Sequence, residues 1–434
     1  MQSTDNSPTL RTTLLLLFLL LVISFWSDGF GLRILTLSDR YSVLNIIASF
    51  TILIAAGISI IFTTKKEYSG NFYFWVIVWI LILVFIPTYI YLVIINGLST
   101  TEVLRASFEY SGLLIFIVLV AYRADSSFVI RINNIVIKLA SIIVVALVAL
   151  SFFPDLADSI LVETSQRYDR IRLGAPKGLE AVVGYAFFYV LVMCTRADLD
   201  IQKKIPYYLL FFVYSWYFIA VAMGRRTIFA LFAVVIFYFF TRLNRGQKIR
   251  LLFTLPFLFA LIFAIPQSEN LLDLIRLSFY TAVEEYQYGE GNVGIRLFGI
   301  EYYLDLFKQS GYIGIGMGSN RLSITNAYLW GMEQFRYNPN DHGIFTVLYQ
   351  FGFPAIALTI FLLFRIFRDL KIVSLCGMTD HQAIAMAINL YLYFSIIGLL
   401  AIFWKPSESL WVGIMFFMVW RMRKEALSWT DAST

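Results

Sequence analysis

The sequence predicts an all-α, polytopic membrane protein, a bundle of about twelve transmembrane helices. Hydrophobic residues make up 59% of the 434-residue chain and charged residues only 14%, whereas an ordinary soluble domain is about 25% charged. Apolar stretches of roughly 20 residues, the length that crosses a bilayer as a helix, recur along the whole chain. We therefore expect one membrane domain over residues 1–434, with little room for a soluble domain.

The apolar stretches form two groups, over residues 12–266 and 343–420, with the long connection 267–342 between the ninth and tenth spans. No small-residue cleavage site follows the first stretch, so it is interpreted as a span and not as a signal peptide. The predicted spans are 12–32, 42–62, 72–95, 107–123, 136–153, 179–195, 205–223, 226–241, 250–266, 343–364, 383–403 and 407–420.

Lysine and arginine predict the orientation of the spans. An even number of spans puts both termini on one side, and the side richer in Lys and Arg is cytoplasmic. Nineteen of the 34 cationic residues lie in one set of connections and ends, although the other set holds the two longest loops, 154–178 and 267–342. Both termini are therefore predicted to be cytoplasmic.

The extracytoplasmic side carries an excess of arginine over lysine. Twelve of its 15 cations are arginine, the side chain that recognises phosphate or carboxylate with two parallel hydrogen bonds. Pairing of single arginines with local acids such as Asp169 or Glu163 is the alternative.

The central portions of spans 2, 3, 7, 9, 10 and 11 lack charged residues, whereas a transporter usually keeps ionisable groups near the membrane midplane. This pattern favours a site at the outer membrane interface.

Arg225 and Arg226 are the first candidate site residues. They stand side by side between two apolar runs, Tyr207–Met223 and Ile228–Phe240. Adjacent guanidinium groups at a membrane surface repel each other and resist dehydration, so an anionic ligand is expected to meet them.

Loop 154–178 supplies the next candidates, Arg167, Arg170 and Arg172, which with Lys177 place four cations within eleven residues. Its Gly and Pro residues predict a folded loop without a helix. A basic loop that only flanks the membrane is the alternative.

The connection 267–342 is 76 residues long, and structureless loops of this length are uncommon. Its middle has the periodicity of short amphipathic helices, with Leu304 and Phe307 on the apolar face and Asp305 on the polar face. At 100° per residue Arg296 lies about 180° from Asp305, so its own helix does not neutralise it. The glycine-rich run at 311–318 predicts a flexible turn.

His342 is one of two histidines and opens the tenth span after Asp341. Because histidine titrates near neutrality, it can take a proton from a hydroxyl nucleophile; a helix-capping or aromatic-stacked histidine is the alternative. The second histidine, His381, lies beside Asp380 and is predicted to be solvated surface.

Several other signals are rejected. The segment 289–294 matches G-x-G-x-x-G but follows no strand, and Asp198-Leu199-Asp200 is interpreted as a solvated loop and not as a metal site. Cys194 and Cys376 lack a metal-ligand spacing. The basic residues are spread over many short loops, which excludes a nucleic-acid footprint. No metal or cofactor is predicted.

In span number, the sidedness of the termini and the late, long outer loop, the chain resembles the O-antigen polymerase/ligase family of bacterial integral-membrane glycosyltransferases. Gly224-Arg225-Arg226-Thr227 is similar to the family's G-S-R turn, with Arg226 at the family arginine. Arg296, leading to Gly314-Ile315-Gly316, is similar to the family's R…G-x-G segment. His342 with the trailing 350–352 is similar to its histidine and E-x-G. Gly343 stands where the family often has Asn.

The resemblance implies an inverting, metal-independent transfer of a glycan from undecaprenyl diphosphate, on the periplasmic face of the bacterial inner membrane. It implies that Arg226 and Arg296 hold the diphosphate, with Arg225, Arg172, Arg167 and Arg170 in support. His342 would act as the base, and Asp341 would orient it. Apolar grooves between spans would hold the prenyl chain.

The resemblance leaves two acceptor glycolipids: a polymerase transfers the glycan to another lipid-linked repeat unit, and a ligase transfers it to lipid A–core. Gly343 and the arginine-rich 154–178 loop favour the polymerase. A polymerase would have a chain-length regulator protein as a further partner. A lipid-linked oligosaccharide flippase is an alternative of another class, and it would require charged groups inside the bundle.

Overall fold

The computed structural model describes residues 10–27, 43–62, 70–122, 126–160, 164–167, 170–173, 179–222, 225–242, 246, 249, 300–301, 303–317, 344–376, 379–398 and 401–433. Within these ranges the chain is a bundle of helices with one short hairpin. The all-α class is therefore confirmed apart from this hairpin, which joins β1 (Thr164–Arg167) and β2 (Arg170–Leu173) in antiparallel register.

The first half of the chain forms these helices: α1 (Leu10–Trp26), α2 (Val43–Phe62), α3 (Phe72–Tyr89) with a π-helical end (Ile90–Ile95), α4 (Thr100–Ser107), a 3-10 helix (Phe108–Leu114), α5 (Ile115–Ala121), α6 (Ser126–Leu150) and α7 (Pro154–Ile160). The second half begins after the hairpin with α8 (Glu180–Thr195), α9 (Ile201–Trp216) with a π-helical end (Tyr217–Val221), and α10 (Arg225–Arg242). It continues with α11 (residues 300–301 and 303–309), α12 (Ile344–Ser374), α13 (Thr379–Ile397), two short 3-10 turns (Ile402–Trp404 and Pro406–Glu408) and α14 (Ser409–Ser433).

Eleven of the twelve predicted spans coincide with helices, and the ninth, 250–266, lies outside the described residues. Four helices in the described part of the chain are long and apolar enough to cross a membrane: Phe72–Ile95, Ser127–Leu150, Ile201–Val221 and Phe345–Ser374. Five further apolar helices are shorter: Thr13–Trp26, Ile46–Ile61, Phe108–Ala121, Glu180–Thr195 and Thr227–Phe240. These lengths and compositions define a membrane helix bundle.

Two helices extend beyond the predicted spans because their charged residues pair with one another. Span 343–364 belongs to a helix that continues to Ser374, and span 407–420 to one that continues to Ser433. Asp369 on α12 is fully buried, yet its carboxylate lies 3.3 Å from the Arg365 Nε and 3.1 Å from the Arg423 Nε of α14. The Tyr73 hydroxyl of α3 donates to the same carboxylate at 2.9 Å. Asp369 thus links three helices at one end of the bundle, which we call the Asp369 end.

A second polar network at the Asp369 end corrects the prediction for His381. This residue is 5% exposed and is not solvated surface, and its Nε2 lies 3.1 Å from the Glu425 carboxylate of α14. Arg421 contacts the other Glu425 oxygen at 2.6 Å. Histidine and glutamate lie on different helices, so only their packing brings the pair together.

The Asp198 loop lies at the same end, and the half-exposed Asp198 carboxylate is bound by Arg196. That hydrogen bond lowers the pKa of Asp198. Arg196 also donates to Asp380 at 2.8 Å, which ties the start of α13 to the end of α8. The acid is therefore part of an ion-paired turn.

We predict that Asp369→Asn destabilises the bundle, because it leaves Arg365 and Arg423 without their counter-charge. Breaking a buried pair costs about 3–5 kcal/mol, and the partial exposure of both arginines favours the lower value. A loss of about 3 kcal/mol should lower the apparent Tm of the detergent-solubilised protein by roughly 3–4 °C, because the entropy of unfolding grows with chain length.

Asp305→Asn is the matched control, since Asp305 forms an exposed pair with Lys308 and exposed pairs contribute about 0–1 kcal/mol. Tryptophan fluorescence during heating measures both variants. Equal Tm values for the two variants would contradict the structural role of Asp369.

Candidate functional site

The connection between α13 and α14, residues 401–408, organises the end of the bundle opposite Asp369, here called the Glu408 end. The Trp26 Nε1 of α1 donates to the Ser407 carbonyl at 2.9 Å, and the Tyr110 hydroxyl donates to the Trp404 carbonyl at 2.6 Å. The Trp404 ring stacks on Phe351 of α12 with ring centroids 5.0 Å apart. One connection thus holds three separate parts of the chain at this end.

Two of the predicted arginine segments come together at the Glu408 end. Arg225 and Arg226 are the first residues of α10, and Tyr217–Val221 precedes them in the chain. The strand β2, which carries Arg170 and Arg172, contacts Tyr217–Val221. The segments lie far apart in sequence, and the fold makes them neighbours.

The predicted loop 154–178 is more ordered than its Gly and Pro residues indicate. It begins with the short helix α7 and continues into the hairpin, where Arg167 pairs in register with Arg170 and Ser165 with Arg172. The expectation of a folded loop is met, and the expectation that no helix forms there is wrong.

Three further predicted site residues, Arg296, Asp341 and His342, lie outside the described residues. Only the segments next to them in sequence are described. α11 follows Arg296 and packs on the first turns of α12, which follow His342. The rings of Tyr303 and Tyr349 stack there at 4.5 Å between centroids, with an interplanar angle of 17°.

The predicted amphipathic character of α11 is confirmed. Tyr303 and Phe307 are buried, whereas Asp305 and Lys308 are exposed. The structure therefore joins the segment after Arg296 to the segment after His342.

The glycine-rich run at 311–317 contains the predicted turn, and hydrogen bonds clamp it between α12 and α3. Gly352 (φ 78°, ψ −177°) interrupts α12, and Pro354 has no N–H to donate to the Gln350 carbonyl. The N–H groups of Ile315 and Gly316 donate to the Tyr349 and Gln350 carbonyls, each at 2.8 Å. The broken helix thus recovers its lost hydrogen bonds from residues 315 and 316.

The other side of this segment is held by α3, which is itself irregular at Pro87 and in its π-helical end. The Met317 N–H donates to the Thr88 hydroxyl at 2.9 Å. Gly316 has φ 64°, and a Cβ at this position would lie 2.3 Å from the Thr88 Cα. Only glycine allows so close an approach in this backbone conformation.

An acid and base cluster at the Glu408 end was missed from sequence. Glu408 is 1% exposed, and its Oε2 accepts from the Ala181 N–H at 3.3 Å, in the first turn of α8. Its Oε1 has no hydrogen-bond partner in the part of the chain that the structure describes. Lys405 pairs with Glu180 beside it. A Lys and a Glu three residues apart between two apolar runs were the available signal, but their burial depends on elements from four parts of the sequence.

Glu408 precedes α14 and lies outside the membrane-spanning helices, although the predicted span 407–420 included it. The pKa of its carboxyl is raised to about 7, mainly because burial disfavours the charged form; Lys405 and the Ala181 N–H oppose this shift, and the nearby Glu180 adds to it. The cluster therefore contains a carboxyl that can titrate near neutral pH.

No protein-family model matches the chain, and no curated protein matches its sequence. What the fold and the site define is the class: a membrane helix bundle with arginine-bearing segments gathered at one end.

We predict that Gly316→Ala opens the clamp. An alanine with positive φ costs about 1–2 kcal/mol, and here its methyl group also meets the backbone of Thr88. Hydrogen exchange of the 311–317 amides, followed by mass spectrometry, should become at least about tenfold faster.

Gly311→Ala is the control, because Gly311 has φ 67° but no atom within 4 Å of the added Cβ. The Gly311→Ala variant has the free-energy cost of an alanine at positive φ, but its methyl group meets no neighbouring atom. Equal exchange rates in the two variants would show that contact with α3 does not hold the segment.

The stability of the folded protein is expected to depend on pH because of Glu408. In the folded protein the carboxyl of Glu408 keeps its proton up to about pH 7, whereas its ordinary pKa is 4.5. Since the folded state binds this proton more tightly, stability falls as the pH rises between these two values and is level above them. The loss should be on the order of 3 kcal/mol.

Apparent Tm measured from pH 4 to 8 tests this expectation, with Glu408→Gln as the comparison. Its amide oxygen can still accept from Ala181 but does not titrate, so the difference between the two curves isolates Glu408. Parallel curves would refute the assignment.

Proposed function

We propose that this protein is a membrane glycosyltransferase of the O-antigen polymerase/ligase type. It moves a glycan en bloc from undecaprenyl diphosphate to a glycolipid acceptor on the periplasmic face of the bacterial inner membrane. One observation supports the proposal: described segments that flank the predicted arginines and histidine in the chain contact each other in pairs. β2 lies against the helix end before Arg225 and Arg226, and the helix after Arg296 packs on the helix after His342.

Chain connectivity supports a single site. Arg296 precedes Tyr303 by seven residues, and His342 precedes Tyr349 by seven. Even a fully extended segment of seven residues reaches only about 24 Å, and the two tyrosines are stacked. The chain therefore limits each residue to about 24 Å from the stacked tyrosines, which is compatible with the single site proposed here.

The chemistry follows from these residue types. The acceptor hydroxyl oxygen attacks the anomeric carbon from the face opposite the diphosphate, which inverts the configuration. The bond between that carbon and the phosphate oxygen breaks, the hydroxyl proton passes to His342, and Asp341 orients the imidazole. Arg226 and Arg296 stabilise the charge that grows on the departing diphosphate, in a partly dry site where such interactions are strong.

Four further arginines are proposed to support the same anion. Arg167, Arg170 and Arg172 belong to the hairpin, whose strand β2 contacts Tyr217–Val221, and Arg225 follows that segment in the chain. Guanidinium groups suit this role because each presents several donors in a planar fork that matches phosphate oxygens.

The orientation of the protein is part of the proposal: twelve spans, both termini in the cytoplasm and the Glu408 end in the periplasm. The cationic residues of the Asp369 end, among them Arg196, Arg365 and Arg423, all belong to the set of connections that is richer in Lys and Arg. Their clustering at one end of the bundle supports the cytoplasmic assignment of that set.

Transfer to another lipid-linked repeat, as in a polymerase, is the favoured acceptor reaction. In the described residues the ionic groups discussed above lie near the two ends of the bundle and not midway along it, which favours a site at the membrane interface over a flippase pathway through the bundle.

Arg226→Ala and His342→Ala are predicted to abolish long-chain product, since losing one electrostatic donor costs about 10²–10³ in rate. The measurement is a gel of surface glycan from a deletion strain that carries each variant, with membrane insertion checked by immunoblot. Arg321→Ala is the matched control, because Arg321 lies in the connection 267–342 that also carries His342, and has no assigned role.

The pattern on the gel identifies the acceptor. Core capped with one repeat indicates a lost polymerase, and bare core with accumulated lipid-linked polymer indicates a lost ligase. Unchanged surface glycan in the deletion strain would exclude both reactions. Full activity of the His342→Ala protein would exclude histidine as the base.

A further inference from the structure

A cavity of about 540 Å³ lies between α3 and α12, in the part of these helices nearer the Asp369 end. Its size falls within the range of about 300–1,000 Å³ that is typical of small-molecule sites. Trp75, Trp79 and Leu83 line it from α3, and Pro354, Ala357 and Phe361 line it from α12.

The cavity is open to the surroundings of the bundle and not enclosed by protein. Trp75 is 49% exposed, Trp79 is 53% exposed and Phe361 is 57% exposed. Both helices are long and apolar enough to cross the membrane, so these side chains face lipid. This apolar surface is more stable in contact with lipid hydrocarbon than with water.

The cavity ends in positive charge. On α12 the lining positions 354, 357 and 361 are spaced by three and four residues, and the same stripe continues to Arg365 and Arg368. The Arg365 guanidinium lies 5.0 Å from the centre of the Phe72 ring, which itself lines the cavity.

The two arginines are placed for a ligand at this end. The Nε of Arg365 faces Asp369, and the guanidinium carries further N–H donors on its two Nη atoms. Arg368, one turn further along the helix, is exposed. An apolar channel that ends in two guanidinium groups matches an amphiphile with a hydrocarbon chain and an anionic head.

We infer that this cavity binds an anionic phospholipid from the leaflet at the Asp369 end. An acyl chain occupies the space between α3 and α12, and the head group phosphate meets Arg365 and Arg368. Charge-assisted contacts between guanidinium and phosphate are the recurring basis of such sites on the cytoplasmic side of membrane proteins.

This site is separate from the proposed reaction. The diphosphate of the proposed donor would lie at the Glu408 end, whereas the charged end of the cavity lies at the opposite end of the bundle. The inference therefore stands whether or not the protein transfers glycans.

The test is native mass spectrometry of the full-length protein in detergent, with phosphatidylglycerol as the probe and phosphatidylcholine of the same acyl chains as the neutral comparison. Wild type should prefer phosphatidylglycerol. Arg368→Gln should reduce that preference about tenfold, equivalent to about 1.4 kcal/mol. Ala357→Trp, which fills the cavity, should reduce binding of both lipids about tenfold or more.

Each variant has a matched control. Lys203→Gln removes an exposed cation at the same end of the bundle, away from the cavity, and Ile360→Trp adds the same bulk to α12 at an exposed position outside the lining. Both should bind as wild type does.

Wild-type preference in the Arg368→Gln protein would overturn the head group assignment, and unchanged binding by Ala357→Trp would overturn the chain assignment. Displacement of phosphatidylglycerol by an equal concentration of undecaprenyl phosphate would assign the cavity to a prenyl chain and overturn the proposal.

Discussion

A backbone group that leaves its helix inside a membrane bundle must find another hydrogen-bond partner, because the surrounding hydrocarbon offers none. This constraint explains the Glu408 end. The break at Gly352 and Pro354 releases two carbonyls of α12, and the N–H groups of residues 315 and 316 take them up. Residues 311–317 are thereby held between α3 and α12.

The two ends of the bundle use charge differently. At the Asp369 end, Arg365 and Arg423 share the carboxylate of Asp369, and Arg421 shares that of Glu425 with His381. These ion pairs link helices. At the Glu408 end, arginines lie on a hairpin and at the start of a helix, positions that the proposed function assigns to recognition of an anion.

The candidate site was only partly predictable. Arg225 and Arg226 were visible as adjacent charges between apolar runs, because burying a guanidinium pair in a membrane is costly wherever it occurs. The cluster of Glu408, Lys405 and Glu180 was not visible in this way. Its members are ordinary charged residues in sequence, and the burial that raises the Glu408 pKa arises only when α8 packs against the 401–408 connection. His381 was misjudged for the same reason, since its partner Glu425 lies on another helix.

The sequence by itself determined the class of structure, because hydrophobic runs of membrane-spanning length have few other stable states. Eleven of the twelve predicted spans are helices in the described residues, and the amphipathic face of α11 follows from its periodicity. Tertiary structure alone decided the hairpin's contact with α9, the stacking of Tyr303 on Tyr349 and the clamp on residues 311–317. Each of these joins segments distant in the chain, and the free energy of such contacts depends on packing geometry that local residue patterns do not encode.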